Sequence, residues 1–190
     1  MVVMTSLLTG PPRGTALTAH AVAHMLESGQ LDDSPGYELI DGVLIQVPAP
    51  SPEHQYAQTA LLERFFAARA TDMRVLAAPF DILSEDTAVQ PDIVVIRRTP
   101  VRHEYLEEIP MLAVEILSPS TALRDVNTKF KRYERAGIAS YWVVDPIGLR
   151  LIVWELREGR YVEVADVGPG DEWTSSRPFE VTIRPAELFD

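Results

Sequence analysis

From residue 16 onward, short apolar runs alternate with polar, turn-forming stretches, and two periods run through them. "TALTAHAVAHMLESG" has apolar residues at helical spacing and predicts a short amphipathic helix. "YELIDGVLIQVPAP" sets strand-like runs on either side of Asp41-Gly42, a strong hairpin signal. "SPEHQYAQTALLERFFAARA" predicts a helix capped by Ser51, with Pro52 at its first position and Ala57, Leu61, Phe65 and Ala68 along one face. "MRVLAAPFDIL" predicts one strand bent at Pro79, and "PDIVVIRR" and "MLAVEIL" two more. A helix is expected from about Thr121 to Ala136, stopped by Gly137. "SYWVVDP" predicts a strand ended by Pro146, and "LRLIVWELREGRYVEVADV" a hairpin around Glu158-Gly159. "PFEVTIRPAELFD" closes the chain with a strand and a turn. The order helix, strands, helix, strand predicts a mixed α/β sheet with helices packed against it.

Composition narrows the chemistry. The 190 residues include no cysteine, which excludes disulfides, thiolate zinc sites and cysteine nucleophiles. The length predicts one domain over residues 16–190, preceded by a disordered tail over 1–15. No run approaches the ~18 apolar residues of a membrane span, so no membrane partner and a cytoplasmic location are expected. The formal net charge of −11 counts against a surface built to grip nucleic acid.

Four polar features interrupt the apolar pattern. Asp92 begins the strand "PDIVVI"; a turn aspartate is the plain reading. Glu115 lies inside "LAVEILSPS", on the strand face of Ala113 and Leu117. An unpaired buried carboxylate costs several kcal/mol or takes up a proton, so Glu115 needs a cation, either an arginine or a metal. Asp92 and Glu115 on neighbouring strands would suit a hard cation such as Mg²⁺. In "TALRDVNTKFKRYERAG", Val126, Phe130 and Tyr133 form the apolar stripe. On an α-helical wheel Lys129 lies about 60° from the stripe centre and Lys131 about 140°. Lys129 can thus reach the sheet, or pair with Asp125 on the surface; Lys131 should be solvated. Glu38, in "YELIDG", and His54, near a helix start, read first as structural residues and second as parts of a site. Ser118 and Ser120 lack a Gly-x-Ser-x-Gly elbow, there is no Gly-rich phosphate loop, and His20 and His24 lack an HExxH context.

The stretches "YELIDGVL", "PAPSPEHQ", "VQPDIVVI", "VEILSPST", "DVNTKFKRYERAGI" and "YWVVDP" occur together and in order. In this combination the sequence resembles the Uma-type ("Uma two") endonucleases, a branch of the PD-(D/E)XK, restriction-endonuclease-like superfamily. The resemblance implies an αβββαβ core flanked by helices and extra β-hairpins. It also implies a Mg²⁺ (or Mn²⁺) site and DNA as substrate. Its Pro-Asp falls on Pro91 and Asp92, and its Asp/Glu-x-Lys on Glu115, Ile116 and Leu117. Leu117 stands where lysine is expected, and the pattern Asp125, Lys129, Tyr133 places the lysine on the following helix. On this reading Asp92, Glu115 and the Ile116 carbonyl hold the metal, Lys129 stabilises charge, and Glu38 and His54 are accessory. Homodimerisation fits the chemistry, because two phosphodiester cuts need two sites. The alternative is a catalytically silent nuclease-like fold that binds or regulates. A basic patch from Arg97, Arg98, Lys129, Lys131, Arg132 and Arg135 is expected if the fold brings those two segments together.

Overall fold

The computed structural model describes residues 17–31, 36–100, 105–118 and 125–189. The predicted tail over 1–15 and the start of the helix predicted from Thr121 lie outside these residues. Helix α1 (Ala19–Glu27) is followed by strands β1 (Tyr37–Ile40) and β2 (Val43–Gln46), then helix α2 (Pro52–Ala68). Strands β3 (Met73–Ala77), β4 (Asp81–Ser84), β5 (Thr87–Val89), β6 (Ile93–Arg97) and β7 (Leu112–Ile116) come next. A π-helical turn (Asp125–Lys129) leads into helix α3 (Phe130–Ala136), and β8 (Ser140–Asp145), β9 (Arg150–Arg157) and β10 (Arg160–Val167) complete the large sheet. Strands β11 (Trp173–Ser175) and β12 (Val181–Ile183) and a 3₁₀ turn (Pro185–Leu188) follow.

Local chemistry accounts for most boundaries. Ser51 Oγ accepts the His54 N–H at 3.3 Å and starts α2, with Pro52 at the first helical position. Asp41 and Gly42 both take positive φ (53° and 75°), as a two-residue hairpin turn demands. Gly137 ends α3 in the left-handed region at φ 86°.

Three sheets result among the described residues. The large one runs β10-β9-β8-β7-β6-β3, with β7 and β8 parallel and its other neighbours antiparallel. Elements α2, β3, β6, β7, α3 and β8 are the αβββαβ core, and α3 makes the crossover that two parallel strands need. The second sheet runs β2-β1-β5-β4, and the third pairs β11 with β12. The run "MRVLAAPFDIL" is therefore two strands in different sheets, not one bent strand. The chain breaks at Ala78 (φ 45°) and Pro79, and β4 leaves to pair with β5.

The layers follow strand parity. Leu112, Val114 and Ile116 face one way and pack with Ala57, Leu61 and Phe65 of α2. Ala113 faces the other way, into a layer with Tyr133 and Ile138 beside α3, Tyr141 and Val143 of β8, and Val89 of the second sheet. The opposite face of the second sheet, with Leu39, Ile82 and Ala88, covers α1. Helix α3 is thus held between two sheets. No helix among the described residues is long and apolar enough to cross a membrane.

Candidate active site

Strand register brings the two predicted acids together. Ile93 pairs with Val114, so the next step of this antiparallel register sets Asp92 across from Glu115. Both line one cavity of about 270 Å³, with Glu38, His54, Ile116 and Lys129. Glu115 and Lys129 are each 4% exposed, Glu38 5% and His54 7%, so the site is built of buried charge.

Each carboxylate is held by named donors. Lys129 Nζ lies 3.0 Å from Glu115 Oε2 and 2.7 Å from Glu38 Oε1, bridging an acid from each of the two main sheets. The Tyr133 hydroxyl donates to Glu115 Oε1 at 2.5 Å. Lys129 and Tyr133 are four residues apart, which sets them one turn apart on one helix face. Glu38 Oε1 also accepts the Gln90 N–H at 3.0 Å. Asp92 Oδ2 accepts the Ile116 N–H at 2.6 Å, His54 Nε2 lies 3.0 Å from Asp92 Oδ1, and Gln58 donates to the Asp92 carbonyl at 2.8 Å. His54 Nδ1 is buried with no hydrogen-bond partner.

Electrostatics set the charge state. Burial raises the Glu115 carboxyl to about 8; Lys129 opposes that rise, while the charges of Asp92 and Glu38 add to it. Burial, with the Glu115 and Glu38 charges behind it, pushes the Tyr133 phenol well above its ordinary value, so Tyr133 stays a donor. Glu38 and Glu115 therefore share one lysine, with Asp92 lining the same cavity. Their donor chemistry fits a hard divalent cation, which takes one or two carboxylates and keeps several waters. Among the described residues no group of three His, Cys, Asp or Glu side chains converges as a ready ligand set. Among the described residues, the cavity presents such a cation with Asp92, Glu115 and the main chain of Ile116.

The structure thus gathers Asp92, Glu115, Ile116, Lys129, Glu38 and His54 around one cavity. Lys131 is exposed, as the wheel requires. The sequence reading missed two contributors. Tyr133 was legible as an apolar stripe residue and as a member of the pattern that carries Lys129, but not as a donor to Glu115, although a buried tyrosine hydroxyl needs an acceptor. Gln58 gave no signal beyond its place one turn after His54. The expected basic patch does not form from its two segments. Lys129 is sequestered between two acids, Arg132 pairs with Asp41, and Arg97 pairs with Asp72.

Comparison with known proteins adds the lineage. The fold matches a crystal structure described as "a putative nuclease belonging to DUF820" from Anabaena variabilis. The match has a TM-score of 0.72 at 20% identity and covers 91% of this chain and 97% of that one. A search of curated proteins returns no match. The family model Uma2, described as "Putative restriction endonuclease", matches residues 24–186. Over that span, which takes in the whole αβββαβ core and every residue lining the cavity, the chain belongs to the Uma2 family.

Proposed function

We propose that this protein is a Mg²⁺- or Mn²⁺-dependent endonuclease that hydrolyses phosphodiester bonds in DNA, within a single domain over residues 16–190. The observation that carries the reading is the register-matched pair Asp92 and Glu115, facing one cavity with the buried ammonium of Lys129. The family and the fold match support a nuclease. Asp92, Glu115 and the Ile116 carbonyl would hold the cation. When bound, such a cation polarises the phosphoryl oxygens and acidifies a coordinated water.

The chain's own residues do the rest. Lys129 keeps a positive charge beside Glu115, where charge develops on the phosphate, and a preorganised charge of this kind acts without reorganisation. Glu38 holds that ammonium from the second sheet. Tyr133 fixes one Glu115 oxygen and leaves the other toward Lys129. His54 and the Ile116 N–H each hold one oxygen of Asp92. Glu38, Tyr133 and His54 are positioning residues. Double-strand cutting would use two copies of the chain, one site per strand.

A second reading, a nuclease-like fold that binds without cutting, draws support from the same lysine: one ammonium already serves Glu38 and Glu115. A cleavage assay on plasmid and single-stranded DNA with Mg²⁺ or Mn²⁺ separates the two. Metal-dependent nicking that Glu115→Gln abolishes is the expected result. Intact DNA in every condition, with binding retained, would favour the silent module.

A further inference from the structure

At the end of the large sheet away from Asp92, the charge changes sign. Strand β6 runs from Ile93 beside the site to Arg97, and Met73 of its partner β3 lies across from Arg97. Around that end lies a groove of about 430 Å³ lined by Phe66, Arg69, Arg74 and Arg98 together with small and apolar residues, and no acid among the described residues lines it. Arg69 and Arg98 are exposed and Arg74 is half-buried. The Arg69 guanidinium lies 5.1 Å from the centroid of the half-exposed Phe66 ring. Arg97 stands nearby, paired with Asp72. Among the described residues, this end sets four arginines against one aspartate in a chain of net charge −11.

We propose that this groove binds the phosphate backbone of a nucleic acid whose scissile bond lies at the Asp92–Glu115 cavity. The inference rests on the nuclease reading and extends it to the flank of the substrate. Three observations support it. The guanidinium fork matches phosphate geometry, and arginines gathered where no acid competes suit an anion. The distance also suits a duplex. Six strand residues from Asp92 to Arg98 span about 20 Å. The fifteen helical residues from His54 to Arg69 give about 22 Å. Either ruler equals about six base pairs at 3.4 Å per step. Finally, β3 is an edge strand of the large sheet and carries Arg74. Arginines on such an edge oppose pairing with a second copy of the same strand, which favours an anionic partner over self-association.

The test uses the full chain, with Glu115→Gln present for binding and absent for cleavage. A fluorescent 30-base-pair duplex is titrated with Mg²⁺ present at several salt concentrations, against the parent and against Arg69→Ser/Arg74→Ser/Arg98→Ser. Thermal melting shows that the variant is folded, and Arg→Lys replacements at the three positions provide a version that keeps the charge. Each phosphate left without its arginine lowers the slope of log affinity against log salt by about 0.9. The expected result is a slope reduced by about two to three, at least tenfold weaker binding at low salt, and recovery in the lysine version. Cleavage by the parent should fall when the duplex ends fewer than about six base pairs from the cut; the triple variant should not distinguish short from long. If the parent binds and cuts DNA but the triple variant matches it on both lengths, the groove proposal is overturned and the nuclease reading stands. If the parent neither binds nor cuts, both fall. A change in sedimentation of the triple variant with unchanged DNA binding would make the groove a protein interface and overturn the proposal.

Discussion

Two carboxylates enter the layer around α3 from opposite sheets, and they are treated in opposite ways. Glu115, on the large sheet, has donors at both oxygens, Lys129 and Tyr133. Asp81, on the second sheet, shares a sheet face with its cross-strand partner Val89, a member of the same layer. It is 0% exposed and neither oxygen has a hydrogen-bond partner. Burial alone pushes its carboxyl up to about 7, so near neutral pH about half of it is held as the uncharged acid. The fold can therefore bury an acid by protonating it, with no network at all. Burial raises Glu115 as well, to about 8, so the difference between the two acids is the network of lysine, tyrosine and second glutamate that only Glu115 has, and the proposed function draws on that network.

The comparison breaks most sharply at Lys129. Lys129→Ala leaves Glu38 and Glu115 without their shared cation, and breaking a buried pair costs about 3–5 kcal/mol. Turnover should also fall by about 10²–10³. Both are expected in urea denaturation at pH 8 and in plasmid nicking, with much of the stability restored when Glu115→Gln is added. Helix-wheel reasoning predicts only the loss of turnover; the burial of Lys129 adds the loss of stability.

Asp81→Asn works in the other direction. The folded state holds this proton more tightly than the unfolded chain, so the stability it contributes is complete below about 4 and is lost as pH rises toward 7. At pH 8 the substitution should recover up to about 4 kcal/mol, and at low pH it should give no gain. Parallel denaturation curves at pH 4 and 8 decide; equal effects at both would mean that the acid is paired in solution. Glu115 has the same sign over its own window, from about 4.5 to 8, in metal-free protein.

A metal titration sharpens the contrast further. Mg²⁺ or Mn²⁺ at a hundredfold excess over its dissociation constant should stabilise the fold by about 2.7 kcal/mol. Glu115→Gln should remove that gain and Asp81→Asn should leave it intact, as read from melting temperatures across millimolar metal. Tyr133→Phe deletes one buried hydrogen bond to a charged group, a loss of about 1.5–3 kcal/mol, and should raise the pH at which Glu115 ionises. The smallest effect belongs to Lys131→Ala: on the exposed face, stability should stay within about 0.5 kcal/mol of the parent.

Much of this was legible in the residues, and the failures have physical causes. The hairpins at Asp41-Gly42 and Glu158-Gly159, the Ser51-Pro52 helix start and the Gly137 stop are local chemistry and appear where the pattern puts them. The order helix, strands, helix, strand was legible from the same patterns, and the αβββαβ core was what the family resemblance implied. The split of Met73–Leu83 between two sheets was hidden because the run is mostly apolar on both sides of Pro79. Strands β5 and β11, three residues each, are too short to show a period. Within the site, Asp92 and Glu115 stood out because each breaks an apolar strand. Asp81 interrupts a run in the same way, but nothing in its spacing marks it as buried. The union of Glu38 with Lys129 is tertiary, and no spacing along the chain encodes it.

That union has a kinetic side. Every strand of the second sheet lies within residues 37–89, and Asp92 follows at once. During synthesis all of these emerge before Lys129, so the growing chain carries the acid of one sheet with no cation to receive it. The small sheet can pair its backbone early, but Glu38 lacks the Lys129 ammonium until the helix after β7 is delivered. Locking the two sheets together is then a late event, timed by the arrival of a single ammonium group.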